Sequence, residues 1–134
     1  LTHTGDVVIR LTAPYTAVLI TEQLEGYVIP SSFVVVRTNK SLLLPEYLVW
    51  LINSQSVKRQ ISESAVSIML GAVKPRYFAD YEVDQLPLSH QRVLAELNGL
   101  AHRETLLLTE LAAEKEKYYG LLINQVFTDM KRGN

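Results

Sequence analysis

The chain lacks cysteine altogether, which excludes disulfide bonds and metal sites built on thiolates. A cysteine-free chain suits a reducing compartment, so we expect the protein to act in the cytoplasm. The sequence also lacks an excess of charge of either sign, because its formal net charge at pH 7 is −1. Nucleic-acid-binding domains often carry a strong positive charge, so the overall charge counts mildly against that function.

Long apolar runs are missing as well. No stretch reaches the length of about 18 residues that a membrane-spanning helix needs, and residues 1–6 do not resemble the start of a signal peptide. The chain begins with leucine rather than methionine, and we interpret it as a fragment, natural or trimmed. Its 134 residues, 48% of them hydrophobic, suffice for about one domain with a buried core.

Motifs of catalysis are also absent. The sequence has no glycine-rich phosphate loop and no Gly-x-Ser-x-Gly element. His3, His90 and His102 do not have the spacing of metal ligands, and we interpret them as solvent-facing or capping residues. We therefore predict a protein without enzymatic activity, cofactor or metal. A small enzyme whose site escapes these motifs is the weakest alternative.

The last third of the chain predicts one long helix over residues 89–132. No proline follows Pro87, and Ser89 can serve as the N-cap. A helix of about 43 residues is about 65 Å long, too long for a small body to cover. We expect Pro87 and Gln91 to fix the start of this helix, the proline by locking its backbone and the glutamine by bonding back to the junction.

The apolar residues of this helix recur at intervals of eleven, as in Leu97, Leu108, Tyr119 and Met130. Eleven residues in three turns are about 3.67 per turn, close to the period of a straight helix. The resulting apolar stripe predicts a partner helix, within this protein or in another; packing inside its own domain is the alternative. The predicted pairing positions are Leu97, Leu100, Leu108, Leu111, Leu122, Val126 and Met130.

Residues 1–88 predict a small body of mixed α and β structure. Runs rich in β-branched residues indicate strands, and the nearly continuous apolar character of residues 26–29 and 33–37 suggests burial of these two on both faces. Pro45 and Glu46 predict a buried helix over 45–54, and a more polar helical segment follows over 56–64. The fold class is therefore α+β, with domains 1–88 and 89–134. Strands are predicted at residues 6–11, 16–20, 26–29, 33–37, 66–70 and 81–83, with a loop at 71–80.

Three short clusters combine basic, polar and aromatic side chains. Arginine and lysine reach phosphates and guanine edges, and tyrosine can stack or contact the backbone, so these clusters are candidate DNA contacts. Ordinary surface and turn residues are the simpler interpretation of each cluster taken alone. The candidates are Arg10, Thr12 and Tyr15 in the first cluster, Lys58 and Arg59 in the second, and Lys74, Arg76 and Tyr77 in the third.

The order of several motifs resembles a known family. They are Gly-Asp-Val-Val-Ile-Arg at 5–10, Ile-Pro-Ser-Ser-Phe-Val-Val-Val-Arg at 29–37, Leu-Pro-Glu-Tyr-Leu at 44–48 with Leu-Ile-Asn-Ser at 51–54, and Leu-Pro-Leu-Ser-His-Gln at 86–91. Together they resemble the C-terminal part of a target recognition domain, with its following conserved-region helix, from the DNA specificity subunit of type I restriction-modification enzymes.

This resemblance implies a non-catalytic role. Specificity subunits of the family position methyltransferase and restriction subunits on a bipartite DNA sequence, and their two long helices pack antiparallel as a spacer. The implied partners are double-stranded DNA, those subunits, and a second copy or another specificity subunit bound through the long helix in an antiparallel pair. An oligomerisation or regulatory module without DNA binding of its own is the alternative.

Overall fold

A three-stranded antiparallel sheet forms the centre of the body. The structure is a computed structural model that describes residues 1–66 and 71–133. A short 3-10 helix at Glu22–Leu24 lies between the second and third strands. The strands and α-helices are β1 (Val7–Arg10), β2 (Ala17–Leu19), β3 (Phe33–Val36), α1 (Pro45–Asn53), α2 (Gln55–Val66), α3 (Pro75–Ala79) and α4 (Leu88–Arg132).

The central strand is β1, because the sheet order is β2-β1-β3 and both pairings are antiparallel. Val7, Val8 and Ile9 are all buried, as expected of β-branched residues in a central strand. The prediction of burial on both faces is wrong for β3, where Val35 is 36% exposed. An edge strand in this small sheet has too few neighbours to cover both of its faces.

Helices α1 and α2 complete the core. Leu48 and Ile52 of α1 belong to one buried cluster with Val7 and Ile9 of β1. The Asn53 side chain holds the end of α1 against β2, because its amide donates to the Ala17 carbonyl oxygen and its oxygen accepts from the Ala17 amide, each at 2.9 Å. On α2, Val57, Ile61 and Ala65 are buried, and their spacing of four places them on one helix face.

Two predicted strands do not form. Residues 26–29 are irregular, and their links to the N-terminal segment include the hydrogen bonds of the Gly26 amide to the Thr2 carbonyl at 2.8 Å and of the Thr2 amide to the Tyr27 carbonyl at 3.0 Å. Gly26 has a φ of 85°, which strands do not use. Residues 81–83 are also irregular, although Tyr81 and Val83 pack singly against the core.

The predicted loop 71–80 contains a helix that the sequence prediction missed. Helix α3 begins at Pro75, and proline favours the first helical turn because it needs no amide partner there. The predicted strand 66–70 overlaps the end of α2 at Val66, and its remaining residues, 67–70, lie outside the described part of the chain.

The long C-terminal helix is confirmed. It begins at Leu88, one residue before the predicted start, so Ser89 lies in the first turn rather than at the N-cap. Its 45 residues correspond to about 68 Å. The fold is thus α+β, as predicted: a small sheet with helices, ending in one long helix. Contacts divide the chain into two compact units, the first ending at Glu96 and the second starting at Leu97.

Gln91 anchors the first turns of α4 within the first unit. Its side chain is fully buried. Its Oε1 accepts a hydrogen bond from the Leu44 amide at 2.8 Å, and its Nε2 donates to the carbonyl oxygens of Leu42 at 3.0 Å and Leu86 at 2.8 Å. The predicted bond from the glutamine to the junction is therefore confirmed.

Candidate functional site

The first predicted cluster lies at the end of β1 and in the loop that joins it to β2. The exposed Arg10 donates from Nε to the hydroxyl oxygen of Thr12 at 2.9 Å. Tyr15 follows the Ala13–Pro14 peptide with a φ of 57°, and its ring is only 4% exposed. Its hydroxyl donates to the Gly71 carbonyl oxygen at 2.6 Å. Tyr15 therefore holds the loop in place, whereas Arg10 faces solvent.

The start of the third cluster lies beside this loop. Thr12 and Ala72 form an antiparallel bridge, and the Val73 amide donates to the Leu11 carbonyl oxygen at 2.9 Å. The exposed Lys74 comes directly after the bridged segment, as the residue that precedes α3. Arg10 and Lys74 thus lie on two neighbouring segments held together by these bonds.

Helix α3 carries the other two members of the third cluster. Arg76 forms an ion pair with Asp80 at 3.3 Å, but both side chains are largely exposed, so the pair is weak and leaves Arg76 free to contact another anion. Tyr77 is half-buried and packs against the core, with its ring centroid 5.2 Å from that of Phe78. The ring of Tyr77 therefore helps to fix α3, which presents Arg76.

The second cluster lies on α2. Lys58 is half-buried and Arg59 is exposed, whereas Val57 and Ile61 face the core. Within residues 1–66 and 71–133, no hydrogen bond or ion pair connects Lys58 or Arg59 with the loops at Arg10 and Lys74. The structure therefore joins the first and third clusters, and among the described residues no hydrogen bond or ion pair joins either of them directly to Lys58 or Arg59. Contact of all eight residues with DNA stays a prediction.

The helical surface of α4 beyond Glu96 is almost entirely exposed. The seven predicted pairing positions are exposed to between 43% and 66%. At about 100° per residue they fall within an arc of about 120° on the helix. Leu106 and Leu121 are also exposed, at 52% and 73%, but lie outside that arc. Pairing through the stripe stays a prediction.

An ion pair between a buried aspartate and an exposed arginine lies at the start of β1, and the sequence reasoning missed it. The Asp6 side chain is almost fully buried. Arg37 donates hydrogen bonds to both of its oxygens, from Nε to Oδ1 at 2.7 Å and from Nη2 to Oδ2 at 2.8 Å. The His3 amide donates to the same carboxylate at 2.8 Å. The strand pairing gives the reason, since Val7 faces Val36 and the register continues to Asp6 and Arg37. In the sequence, Asp6 directly precedes the apolar run of β1 and Arg37 directly follows that of β3. This pairing of opposite charges was the one signal from which the ion pair could have been predicted.

These bonds lower the pKa of Asp6 to about 2. The largest cause is the hydrogen bond from the Arg37 side chain, which outweighs the opposing effect of burial, and the His3 amide adds to it. At pH values between about 2 and 3.8 the unfolded chain therefore binds more protons at this position than the folded chain.

We expect Asp6 to contribute about 2 kcal/mol to the free energy of unfolding above pH 5, and this contribution to be lost as the pH falls towards 2. Urea unfolding followed at several pH values measures it. Asp6→Asn should remove this part of the pH dependence, and Asp84→Asn, at an exposed aspartate, should keep it. Identical pH profiles for the two variants would contradict the prediction.

Residues 1–66 and 71–133 contain no group of three or more histidine, aspartate or glutamate side chains placed to hold a metal ion. Within the same ranges, no helix combines the length and the hydropathy that crossing a membrane requires.

Comparison with solved structures gives one informative similarity. A chain from a structure described as showing complex assembly and conformational transition of the type I R-M system has the same fold, with a TM-score of 0.72 and 25% sequence identity. The match covers 96% of the present chain. The present chain is similar to a type I restriction-modification protein. The resemblance predicted from the sequence is thereby confirmed, and the match is consistent with a fragment of a specificity subunit.

The restriction-modification chain is much longer than this one. The present chain spans 34% of its length. No family model matches the sequence. No curated protein matches it either.

Proposed function

We propose that the chain is a non-catalytic DNA sequence-specificity component of a type I restriction-modification system, or a truncated form of one. It would contribute to recognition of the DNA target and to assembly with the methyltransferase and restriction subunits in the cytoplasm. The observation that carries the proposal is the shared fold with a type I restriction-modification chain over 96% of the present chain.

The exposed cations of the first and third clusters support a contact with the DNA backbone. Arg10 and Lys74 extend from segments joined by the Thr12–Ala72 bridge, and Arg76 follows two residues later on α3. Phosphate contacts need flexible cations on a fixed backbone, and here Tyr15 and Tyr77 hold the backbone of both segments. We therefore propose Arg10, Lys74 and Arg76 as phosphate contacts, with Tyr15 and Tyr77 as positioning residues.

Titration of the protein with a mixed-sequence DNA duplex at several salt concentrations tests this proposal. Each phosphate contact lowers the slope of log affinity against log salt by about 0.9. Neutralising Lys74 and Arg76 together, as Lys74→Gln with Arg76→Gln, should therefore flatten the slope by about two. The matched control is Lys115→Gln with Arg103→Gln, two exposed cations on α4. An equal change in both double variants would remove Lys74 and Arg76 from the DNA surface.

A second candidate function is oligomerisation or regulation without DNA binding. The exposed apolar stripe of α4 favours it, and so does the net charge of −1. The same titration separates the two candidates. Saturable duplex binding at low salt supports the specificity component, and self-association without any duplex binding supports the second candidate.

Assembly with other subunits has its own test. A specificity component would be encoded next to genes for a methyltransferase and a translocase, and it would co-purify with that methyltransferase after joint expression. Failure to co-purify, with both proteins folded, would contradict the assembly part of the proposal.

A further inference from the structure

A cavity of about 340 Å³ lies between the N-terminal loop and the segment that follows β3. Its walls come from residues 3–6 on one side and from Arg37, Thr38 and Lys40 on the other. This volume falls within the range of about 300 to 1,000 Å³ typical of small-ligand sites. The DNA candidates Arg10, Lys74 and Arg76 are not part of its lining, so the cavity is separate from that surface.

The one acidic side chain in the cavity wall is already neutralised. Both oxygens of Asp6 accept hydrogen bonds from Arg37, and one of them also accepts from the His3 amide. Arg37 further donates from Nη2 to His3 Nδ1 at 2.6 Å. Because guanidinium only donates, Nδ1 is the acceptor and the ring proton lies on Nε2. The bond from Arg37 thus fixes the orientation of the His3 ring and leaves its Nε2–H as a hydrogen-bond donor.

Lys40 supplies a positive charge without a countercharge. Among the residues that the structure describes, no ion pair or hydrogen bond involves its ammonium group. The Lys40 Nζ lies 2.9 Å from the position that a Cβ at residue 5 would occupy. Gly5 also has a φ of 93°, so a side chain there would be strained as well as crowded. The absence of a side chain at Gly5 thus lets the ammonium group lie directly over the N-terminal loop.

Thr38 adds an unsatisfied polar group to the same wall. Its Oγ1 is buried and has no hydrogen-bond partner in the described part of the chain. Burial of an unpaired hydroxyl costs about 1 to 3 kcal/mol, so a hydrogen bond from this hydroxyl to a bound group would recover that cost. Thr38 and Lys40 both line the cavity, so each is a candidate donor to an acceptor bound there. Thr4 contributes less, since its hydroxyl already donates to Glu25 at 2.6 Å.

We propose that this cavity binds a phosphate group through Lys40, Thr38 and His3. Among the described residues the site offers an unpaired ammonium, an unpaired hydroxyl and an imidazole donor, whereas Asp6, the carboxylate in its lining, is engaged by Arg37. Phosphate suits this set because its oxygens accept several charge-assisted hydrogen bonds at once. The phosphate comes either free in solution or as part of a nucleic-acid backbone. The site does not depend on the function proposed above.

Two-dimensional NMR of the isotope-labelled protein, titrated with inorganic phosphate at constant ionic strength, tests the site. A second titration uses a short DNA duplex. Amide signals of Gly5, Thr38 and Lys40 should shift and saturate. Lys40→Gln should weaken binding about tenfold or more, since it removes a charge-assisted hydrogen bond. Thr38→Val, which keeps the side-chain shape, should weaken it severalfold. Lys115→Gln, at an exposed lysine on α4, is the matched control and should bind like the wild type.

The two titrations distinguish the sources of the phosphate. Saturation by inorganic phosphate, sensitive to Lys40→Gln, identifies a site for free phosphate. Shifts in these amides with the duplex alone, again sensitive to Lys40→Gln, identify a backbone phosphate. If neither ligand shifts them, or if Lys40→Gln and Lys115→Gln behave alike, the phosphate site is overturned. If duplex binding is lost in the Lys74 and Arg76 variant while neither ligand affects these amides, the proposed function is retained and the site is excluded.

Discussion

Gln91→Glu should lower the free energy of unfolding of the body by about 3 kcal/mol or more, although it changes one atom. The glutamine Nε2 donates to the carbonyl oxygens of Leu42 and Leu86. A carboxylate cannot donate, so two carbonyl oxygens would face a buried anion instead of an amide. The residue has no exposed surface, and water cannot compensate for the lost bonds.

Urea unfolding followed by the fluorescence of Trp50, which lies on α1, measures this effect in the body. The matched control is Gln85→Glu, the same substitution at an exposed glutamine near the junction. Burial should raise the pKa of the carboxyl introduced by Gln91→Glu, because the neutral acid can still donate one hydrogen bond. The folded chain then binds the extra proton, so the loss of stability should shrink as the pH falls. Equal midpoints for the two variants would show that the anchor contributes little.

The elements that the sequence predicted correctly carry their own local signals. Helix α1 has Pro45 at its first position and Glu46 in its first turn, both of which favour a helix start independently of the rest of the chain. Strand β1 is a run of β-branched residues after Gly5. Helix α4 has apolar residues at regular helical intervals along its length, with no proline to interrupt it. In each case the pattern and the propensity agree, so the fold class follows from the sequence.

The wrong predictions depended on residues far away in the chain. Residues 26–29 have the composition of a strand, but the described structure pairs them with the N-terminal segment at Thr2 instead of with a strand of the sheet. The composition of a segment indicates whether its backbone tends to be extended, but it does not indicate which other segment it will pair with. Helix α3 is only five residues long, which is too short to show a helical period of apolar residues. Pro75 was therefore the one residue from which its start could have been predicted.

Among the candidate site residues, Tyr15 shows the same limit. The sequence places it in a polar loop between two strands, which suggests exposure. Its ring belongs to the buried cluster, and its hydroxyl donates to the carbonyl oxygen of Gly71, 56 positions away in the chain. The bond between Asp6 and Arg37 likewise spans 31 positions and becomes visible only with the strand register. Local patterns therefore identified the exposed cations and missed the long-range contacts that hold their backbone.

Changing Leu108 and Leu111 to glutamate should convert a self-associating protein into a monomer. Both leucines are more than half exposed and lie near the middle of the apolar stripe on α4. Burial of one leucine side chain contributes about 2 kcal/mol, and the pairing surface comprises seven apolar residues. A two-fold pair brings together the stripes of two helices, so burial of most of these side chains can offset the cost of association, which is about 4 to 15 kcal/mol. A two-fold pair suits identical stripes, since each presents the same surface to the other.

Sedimentation equilibrium distinguishes a pair from the 15.1 kDa monomer. The matched control is the double change of Leu106 and Leu121 to glutamate, which introduces the same charges at exposed leucines outside the stripe. The control should remain associated, because its charges lie on the faces that a partner helix leaves in water. Disulfide cross-linking tests the direction of pairing. In an antiparallel pair, a Leu97→Cys chain should form a disulfide with a Met130→Cys chain. It should not form one with a second Leu97→Cys chain. A wild-type protein that is monomeric at tens of micromolar would exclude self-association through this stripe.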